Sequence, residues 1–176
     1  MSQRLETTVN VVTLIAAVAI LGTVAARFRG PTESPTNTQP FRVGEHVPVF
    51  QGLDFTRAKH TLLMVVRQDC RFCAESMPFY RRLPRGKAVK LGATLENQIV
   101  ALMLDDLPTA THYVQSNALS IDAVVAIPPS RKSDLRVKGT PTLLLVDGTG
   151  LIQRLWVGKL SPEREREVID ALAPGT

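Results

Sequence analysis

Cys70 and Cys73 are the only cysteines in the chain, and two residues separate them within Val65–Pro78, VVRQDCRFCAESMP. Two thiols at that spacing can close a disulfide within one helical turn and open it again. Placement decides which sulfur reacts. An apolar run, Thr61–Val66, ends in a short polar turn, and Cys-Arg-Phe-Cys follows at once. That order reads as strand, turn and helix start. The first turn of a helix offers unpaired backbone N–H groups and the positive end of its dipole, both of which favour a thiolate. The thiolate is the nucleophile, and such settings lower its pKa from about 8.5 to about 3.5–7.5. Cys70 is therefore expected to attack, and Cys73, nearly one turn deeper, to resolve. A zinc ribbon would need a second pair of ligands. His46, His60 and His112 are scattered without ligand spacing, so no metal is expected.

Pro78 narrows the reading. Inside a helix a proline cannot donate to the carbonyl of Ala74, and it kinks the axis. The pattern C-x-x-C-x-x-x-x-P resembles the active-site helix of the thioredoxin superfamily. Lys138-Gly139-Thr140-Pro141-Thr142, ahead of an apolar run, resembles that superfamily's cis-proline loop. A cis X–Pro bond costs only about 0.5–1 kcal/mol over trans, which a folded loop can hold. The resemblance runs from about Gly44 to Ala173, and within the superfamily it is to membrane-anchored TlpA-type thiol–disulfide oxidoreductases. It implies an α/β thioredoxin-like fold, a mixed central sheet with helices on both faces, preceded by one N-terminal transmembrane helix. It also implies catalysis by Cys70 and Cys73, with no cofactor beyond the cysteine pair. Thr140 and Pro141 would bind substrate, and Pro78 would be structural at the active site.

Several residues depart from the superfamily pattern. Asp69 stands where thioredoxins usually carry Trp. A carboxylate there should disfavour a second negative charge on Cys70, and Arg67 and Arg71 should oppose it. The buried acid that thioredoxins place six residues before the nucleophile aligns with Met64. Glu75 is a candidate substitute, against the plainer reading of an exposed helix carboxylate. Arg71-Phe72 between the cysteines matches neither the reducing Gly-Pro type nor the oxidising Pro-His type, so direction is not readable from it.

The remaining elements must carry this pair. Phe41–Phe55 has short apolar pulses split by Gly and Pro, and looks like an added N-terminal strand and turn. The active-site helix is expected over about Arg71–Leu83. Arg81, Arg82, Arg85, Lys87 and Lys90 follow, as a solvated helix end or as a docking face for an acidic partner. Gln98–Leu104 is a continuous apolar run, as in a strand buried on both faces. A helix over Pro108–Leu119, a strand over Val124–Ile127 and a helical turn over Ser130–Leu135 come next. Thr142–Val146 and Leu151–Val157 flank Asp147-Gly148-Thr149-Gly150, a hairpin signature. Ser161 as N-cap, Pro162 at N1 and Glu163 in the first turn open a last helix, with Val168, Ile169 and Leu172 facing the core. Trp156 reads as a core residue.

The first forty residues are organised differently. Val9–Ala26 is eighteen residues without a charge, just long enough for a membrane-spanning helix. The competing reading is a cleaved signal peptide, with Val24-Ala25-Ala26 as the cleavage site. The expected organisation is an anchor or signal segment over 1–29, a flexible linker over 30–40 (GPTESPTNTQP) and a thioredoxin-like domain over 41–176. Arg4 precedes the span, whereas Arg27, Arg29 and Arg42 follow it, so the positive-inside rule leans toward a cytoplasmic domain. The family resemblance points to the periplasm or another extracytoplasmic space, and that side is taken. The formal charge is +5, without an aromatic-interleaved basic patch, so no nucleic-acid partner is expected.

These observations lead to a membrane-anchored protein-disulfide reductase, since a tethered dithiol is most useful as a reductant where disulfides form by default. Its partners would be disulfides of exported proteins and a membrane electron donor. The alternatives are a thiol oxidase or isomerase of the same fold, and a non-catalytic binding or assembly factor.

Overall fold

Strand β1, Ala58–Val66, is the centre of the computed structural model, which describes residues 39–84 and 95–173. It pairs parallel with β2 (Leu95–Met103) and antiparallel with β4 (Thr142–Asp147). β2 pairs parallel with β3 (Ala123–Ala126), and β4 pairs antiparallel with β5 (Ile152–Val157). The sheet order is β3-β2-β1-β4-β5. Thr61–Val66 is buried throughout, because a strand with neighbours on both edges and cover on both faces keeps no side chain in water.

Alternation along the strands divides the interior into two cores. Leu62, Met64 and Val66 face one side with Ile99, Ala101 and Met103. Leu63 and Val65 face the other with Val100, Leu102, Leu144 and Val146. Two buried polar residues satisfy each other inside this sheet: Gln98 Nε2 donates to Thr61 Oγ1 at 2.9 Å and to the Asp54 carbonyl at 2.7 Å.

Four α-helices are described: α1 (Arg71–Glu75), α2 (Met77–Tyr80), α3 (Leu107–Ser116) and α4 (Pro162–Leu172). The sequence expectation of helices on both faces is corrected here. Among the described residues, the buried side chains of all four helices join the first core: Cys73, Phe79, Tyr113, Val168 and their neighbours. β1, β2 and β3 advance one way across the sheet, and crossovers of one hand advancing one way lay their helices on the same face.

The second face is covered instead by Phe41, Val47, Phe50, Leu53 and Phe55, with Ile127 and Leu135 from the chain that returns from β3 to β4. The expected N-terminal strand is therefore also corrected. Phe41–Phe55 contributes one isolated bridge, His46 to Leu151, and runs otherwise as a strap. Its Gly44 and Gly52 take positive φ, which interrupts any ladder. Two arginines of the returning chain hold the strap down. Arg131 stacks 4.6 Å from the Phe50 ring, and Arg136 stacks 4.5 Å from the Phe41 ring. Both lie in or just beyond the 3-10 segment Pro129–Leu135.

The β4–β5 turn is built on Asp147, whose Oδ1 accepts from Thr149 N, Thr149 Oγ1 and Leu151 N. Gly150 takes φ +83 there, and a Cβ on it would stand 2.8 Å from the Phe55 ring. Ser161 caps α4, with Pro162 as its first residue. Among the described residues, no helix is long and apolar enough to cross a membrane. Val9–Ala26, the expected span, lies outside the described residues, as does most of the expected linker.

Candidate active site

β1 delivers the chain to the site. Val66 is its last residue, the turn 67–69 is exposed, and Cys70 is the N-cap of α1. Gln68 N–H donates to Asp105 Oδ2 at 2.9 Å, which ties this turn to the end of β2. Cys70 takes an extended φ/ψ of −93°/110°, so its side chain folds over the first turn and its Sγ accepts from Cys73 N–H at 3.1 Å. That N–H is one of the donors a helix start leaves unpaired.

Cys70 and Cys73 are joined in a disulfide. Cys73 is fully buried in the first core, whereas Cys70 is half-buried. An incoming sulfur can therefore meet Cys70 and cannot meet Cys73. Phe72 between them is 52% exposed, a large apolar side chain beside an open sulfur.

The helix behind the pair is shorter than its sequence predicts. The expected helix over about Arg71–Leu83 is corrected to α1 and α2, divided at Ser76. Pro78 has no N–H to offer the Ala74 carbonyl, so the ladder stops. Ser76 takes over the α1 terminus: its N–H donates to the Phe72 carbonyl at 3.1 Å, and its Oγ donates to the same oxygen at 2.8 Å. Pro78 itself is exposed, so its effect runs through the backbone and not through packing.

The Thr140–Pro141 peptide bond is cis, and the Thr140 carbonyl oxygen lies 3.3 Å from Cys70 Sγ. A disulfide sulfur carries no proton, so this is a packing contact; in the dithiol the Cys70 S–H could donate to the same oxygen. The loop is pinned on both sides. Gly158 N–H donates to the Pro141 carbonyl at 2.7 Å, and Thr142 Oγ1 donates to the Gly139 carbonyl at 2.7 Å. Pro141 is buried and Thr140 half-exposed.

The structure separates the charged residues near the pair into two groups. Asp69 faces Arg67, with Nε to Oδ1 at 2.9 Å and a second bond from Nη2 to Oδ2. The Arg67 hydrogen bond holds the Asp69 carboxyl below its ordinary range. Arg71 does not share this task. It pairs with Glu75 at 2.8 Å, one turn along α1. Glu75 also receives Lys159 Nζ at 3.0 Å. Lys159, then Arg71, holds the Glu75 carboxyl below its ordinary range. Glu75 thus ties α1 to the loop after β5, and it is exposed, in keeping with the plainer reading of a surface helix carboxylate. Met64 is buried in the first core with Cys73, and no carboxylate is buried among the described residues.

Arg81 and Arg82 are likewise engaged. Arg81 Nε donates to the Asn117 carbonyl at 2.9 Å, and Arg82 pairs with Glu165. Arg85, Lys87 and Lys90 lie outside the described residues. Trp156 is buried in the first core, and its Nε1 donates to Glu167 Oε2 at 3.3 Å. Among the described residues, no group of three or more His, Cys, Asp and Glu side chains could hold a metal ion.

Sequence reasoning missed Lys159, Asp105 and the exposed Val157 near the cis bond. Lys159 and Asp105 reach the site across 84 and 37 positions of sequence, so no local signal marks them. Arg71–Glu75 was findable, because i and i+4 share a helix face.

No protein-family model matches the chain, and no curated protein does. Solved structures do. The chain is similar to a putative thiol:disulfide interchange protein DsbE from Chlorobium tepidum, with TM-score 0.53 and 22% identity over 75% of this chain and 98% of that chain. It is similar to a thiol:disulfide interchange protein from a Bacteroides species, with TM-score 0.55 and 16% identity over 75% and 91%. It is also similar to the thioredoxin domain of a thiol-disulfide oxidoreductase from Bacteroides vulgatus, with TM-score 0.51 and 15% identity over 75% and 96%. At these identities the likeness is one of fold.

Proposed function

From a thioredoxin-like fold that seats one half-exposed and one buried cysteine at a helix start, we propose that the chain is a thiol–disulfide oxidoreductase working as a protein-disulfide reductase. The observation that carries this reading is the placement of Cys70. Its sulfur caps α1, receives the Cys73 N–H and rests against the carbonyl of the cis Thr140–Pro141 bond.

The exchange runs in two steps. The Cys70 thiolate attacks one sulfur of a substrate disulfide. The Cys70–substrate bond forms, the substrate disulfide breaks, and the released sulfur leaves as a thiolate that takes a proton from water. Cys73, deprotonated, then attacks Cys70 Sγ. The Cys70–Cys73 disulfide forms, and the substrate leaves as a dithiol. The substrate gains two electrons and the cysteine pair loses two. A dithiol donor must restore the pair, and a membrane protein is the proposed source. Cys70 and Cys73 are the catalytic residues in this reading, Thr140 and Pro141 contact the substrate, and Pro78 sets where α1 ends.

Val9–Ala26 is proposed as a membrane anchor, with the domain on the extracytoplasmic side and exported proteins as substrates. Retention of the segment in purified membranes after carbonate washing would support an anchor, and its absence from the mature chain would support a signal peptide.

The reduction potential of the pair tests direction. A value near −270 mV in a glutathione or dithiothreitol titration supports a reductase, and one near −120 mV supports an oxidase. A Cys73→Ser variant tests the exchange itself. It should trap mixed disulfides through Cys70, whereas a binding factor without exchange chemistry would keep its partners and trap nothing.

A further inference from the structure

A cavity of about 230 Å³ opens beside the cis-proline loop, and the exchange chemistry above leaves it without a task. Its apolar lining comes from Phe41, Val137, Leu155 and Val157, and its cationic lining includes Arg42 and Lys138. Strand register fixes where it lies. Val157 stands opposite Thr142 in the β4–β5 ladder, one residue past Pro141. Lys138 is two residues before Thr140, whose carbonyl touches Cys70 Sγ. Two residues of extended chain span at most about 7 Å. Phe41, Val137 and Leu155 belong to the second core and Cys70 packs against the first, so cavity and sulfur approach each other only through the 138–142 loop, which brings Lys138 within reach of a peptide held at Cys70.

We infer that the cavity binds the substrate polypeptide beside its reactive cysteine and selects an apolar side chain flanked by a carboxylate. This rests on the oxidoreductase reading and names the class of substrate for it. Three observations carry the inference. The volume is below the roughly 300–1,000 Å³ of small-molecule pockets, which suits a side chain of a peptide and not a free cofactor. Val157 is 47% exposed, an apolar surface at the mouth of a site with no other described cover.

The third observation is charge. Arg136 also lines the cavity, but it is committed: it stacks on Phe41 and pairs with Glu45 at 2.9 Å. Arg42 and Lys138 are exposed and have no ion-pair partner among the described residues. Glu45, the acid nearest Arg42 in sequence, accepts the Arg42 backbone N–H and is already taken by Arg136. Across the site, Asp69 is matched by Arg67, and Glu75 by two cations. A carboxylate arriving beside the cysteine therefore meets unmatched positive charge.

The test uses the full chain, reduced, in stopped-flow exchange. The probes are short peptides with one cysteine, each closed as a mixed disulfide with the same small thiol. Leu-Glu, Leu-Gln or Leu-Lys is placed on either side of the cysteine in separate peptides. An uncharged dipyridyl disulfide serves as a probe too small to reach the cavity. The expected result is a rate about tenfold higher for the best Leu-Glu peptide than for its Leu-Lys counterpart, falling as salt is raised. Charge reversal in an Arg42→Glu, Lys138→Glu double variant should abolish or invert that preference once each peptide rate is divided by the same protein's dipyridyl rate. Equal rates for all peptides, or a preference that survives charge reversal, would overturn the inference while leaving the oxidoreductase reading in place. No exchange with the dipyridyl disulfide would instead sink the oxidoreductase reading, and the inference with it.

Discussion

Cys70 Sγ and the Thr140 carbonyl oxygen lie 3.3 Å apart, although seventy residues of chain separate them. The contact leaves the other flank of the sulfur open, and Cys73 is sealed below it. Reactivity should follow that asymmetry. In the reduced, folded protein, iodoacetamide should modify Cys70 at least about tenfold faster than Cys73, since accessible thiolates at helix starts react and buried thiols do not. Peptide mass mapping at timed quenches reads the two sites, and unfolding in urea should make them equal. Comparable rates in the folded protein would remove the basis for calling one attacking and the other resolving.

Acid should destabilise the domain through its tied carboxylates. Asp69 is held low by Arg67 and Glu75 by Lys159 and Arg71; Asp54, Asp106 and Asp147 are held low by hydrogen bonds from Thr56, Thr109 and Thr149. A carboxyl whose folded pKa lies below its unfolded value contributes stability that is fully present above the unfolded value. That contribution is lost as pH falls through the folded one. Melting temperature should be flat near neutrality and fall as pH drops below about 4.5, where unfolded carboxylates begin to protonate. An Asp69→Asn, Glu75→Gln variant should show a shallower fall. The same slope in variant and wild type would show that these two ties do not distinguish the folded from the unfolded chain.

Gly150 is a position where only glycine suits the backbone. Its φ is +83, and the Cβ of any other residue would meet the buried Phe55 ring at 2.8 Å. Gly150→Ala should cost about 1–3 kcal/mol in urea unfolding, from left-handed strain together with the displaced ring. A paired Phe55→Leu change should recover part of that cost, by opening the space the methyl needs. No recovery would assign the whole loss to the backbone.

The features legible in the sequence were those written locally. The cysteine pair follows a continuous apolar strand, Asp147–Gly150 announces a turn, and Ser161-Pro162-Glu163 announces a helix start. Each signal lies within a few residues of the structure it specifies. Thr140–Pro141 was legible because its sequence neighbourhood resembles a known loop. What the sequence hid depends on distant partners. Phe41, Val47, Phe50 and Phe55 have the spacing of strand pulses, yet they are spaced to fill hollows on a sheet face, and Gly44 and Gly52 deny them a ladder. The side on which α3 packs follows from crossover direction and not from its own apolar stripe. Glu75 looked like a free helix carboxylate because Lys159 lies 84 positions away.

Arg136 joins the strap to the chain that leads into the cis-proline loop, and it does so from a strained backbone. Its side chain is 12% exposed, stacks on Phe41 and pairs with Glu45, while its φ of 30° lies in the left-handed region. These two facts predict opposite effects for two small substitutions. Arg136→Ala removes the stacking and the ion pair and keeps the strain, and should cost about 1–3 kcal/mol. Arg136→Gly removes the same contacts but relieves the strain, so it should be more stable than the alanine variant by up to about 1 kcal/mol. Arg136→Lys should not restore wild-type stability, because an ammonium cannot stack as a planar guanidinium does. Urea unfolding of the three variants gives the order directly. An alanine variant at least as stable as the glycine one would show that the left-handed turn carries no strain, and a lysine variant equal to wild type would reduce the clamp to its charge.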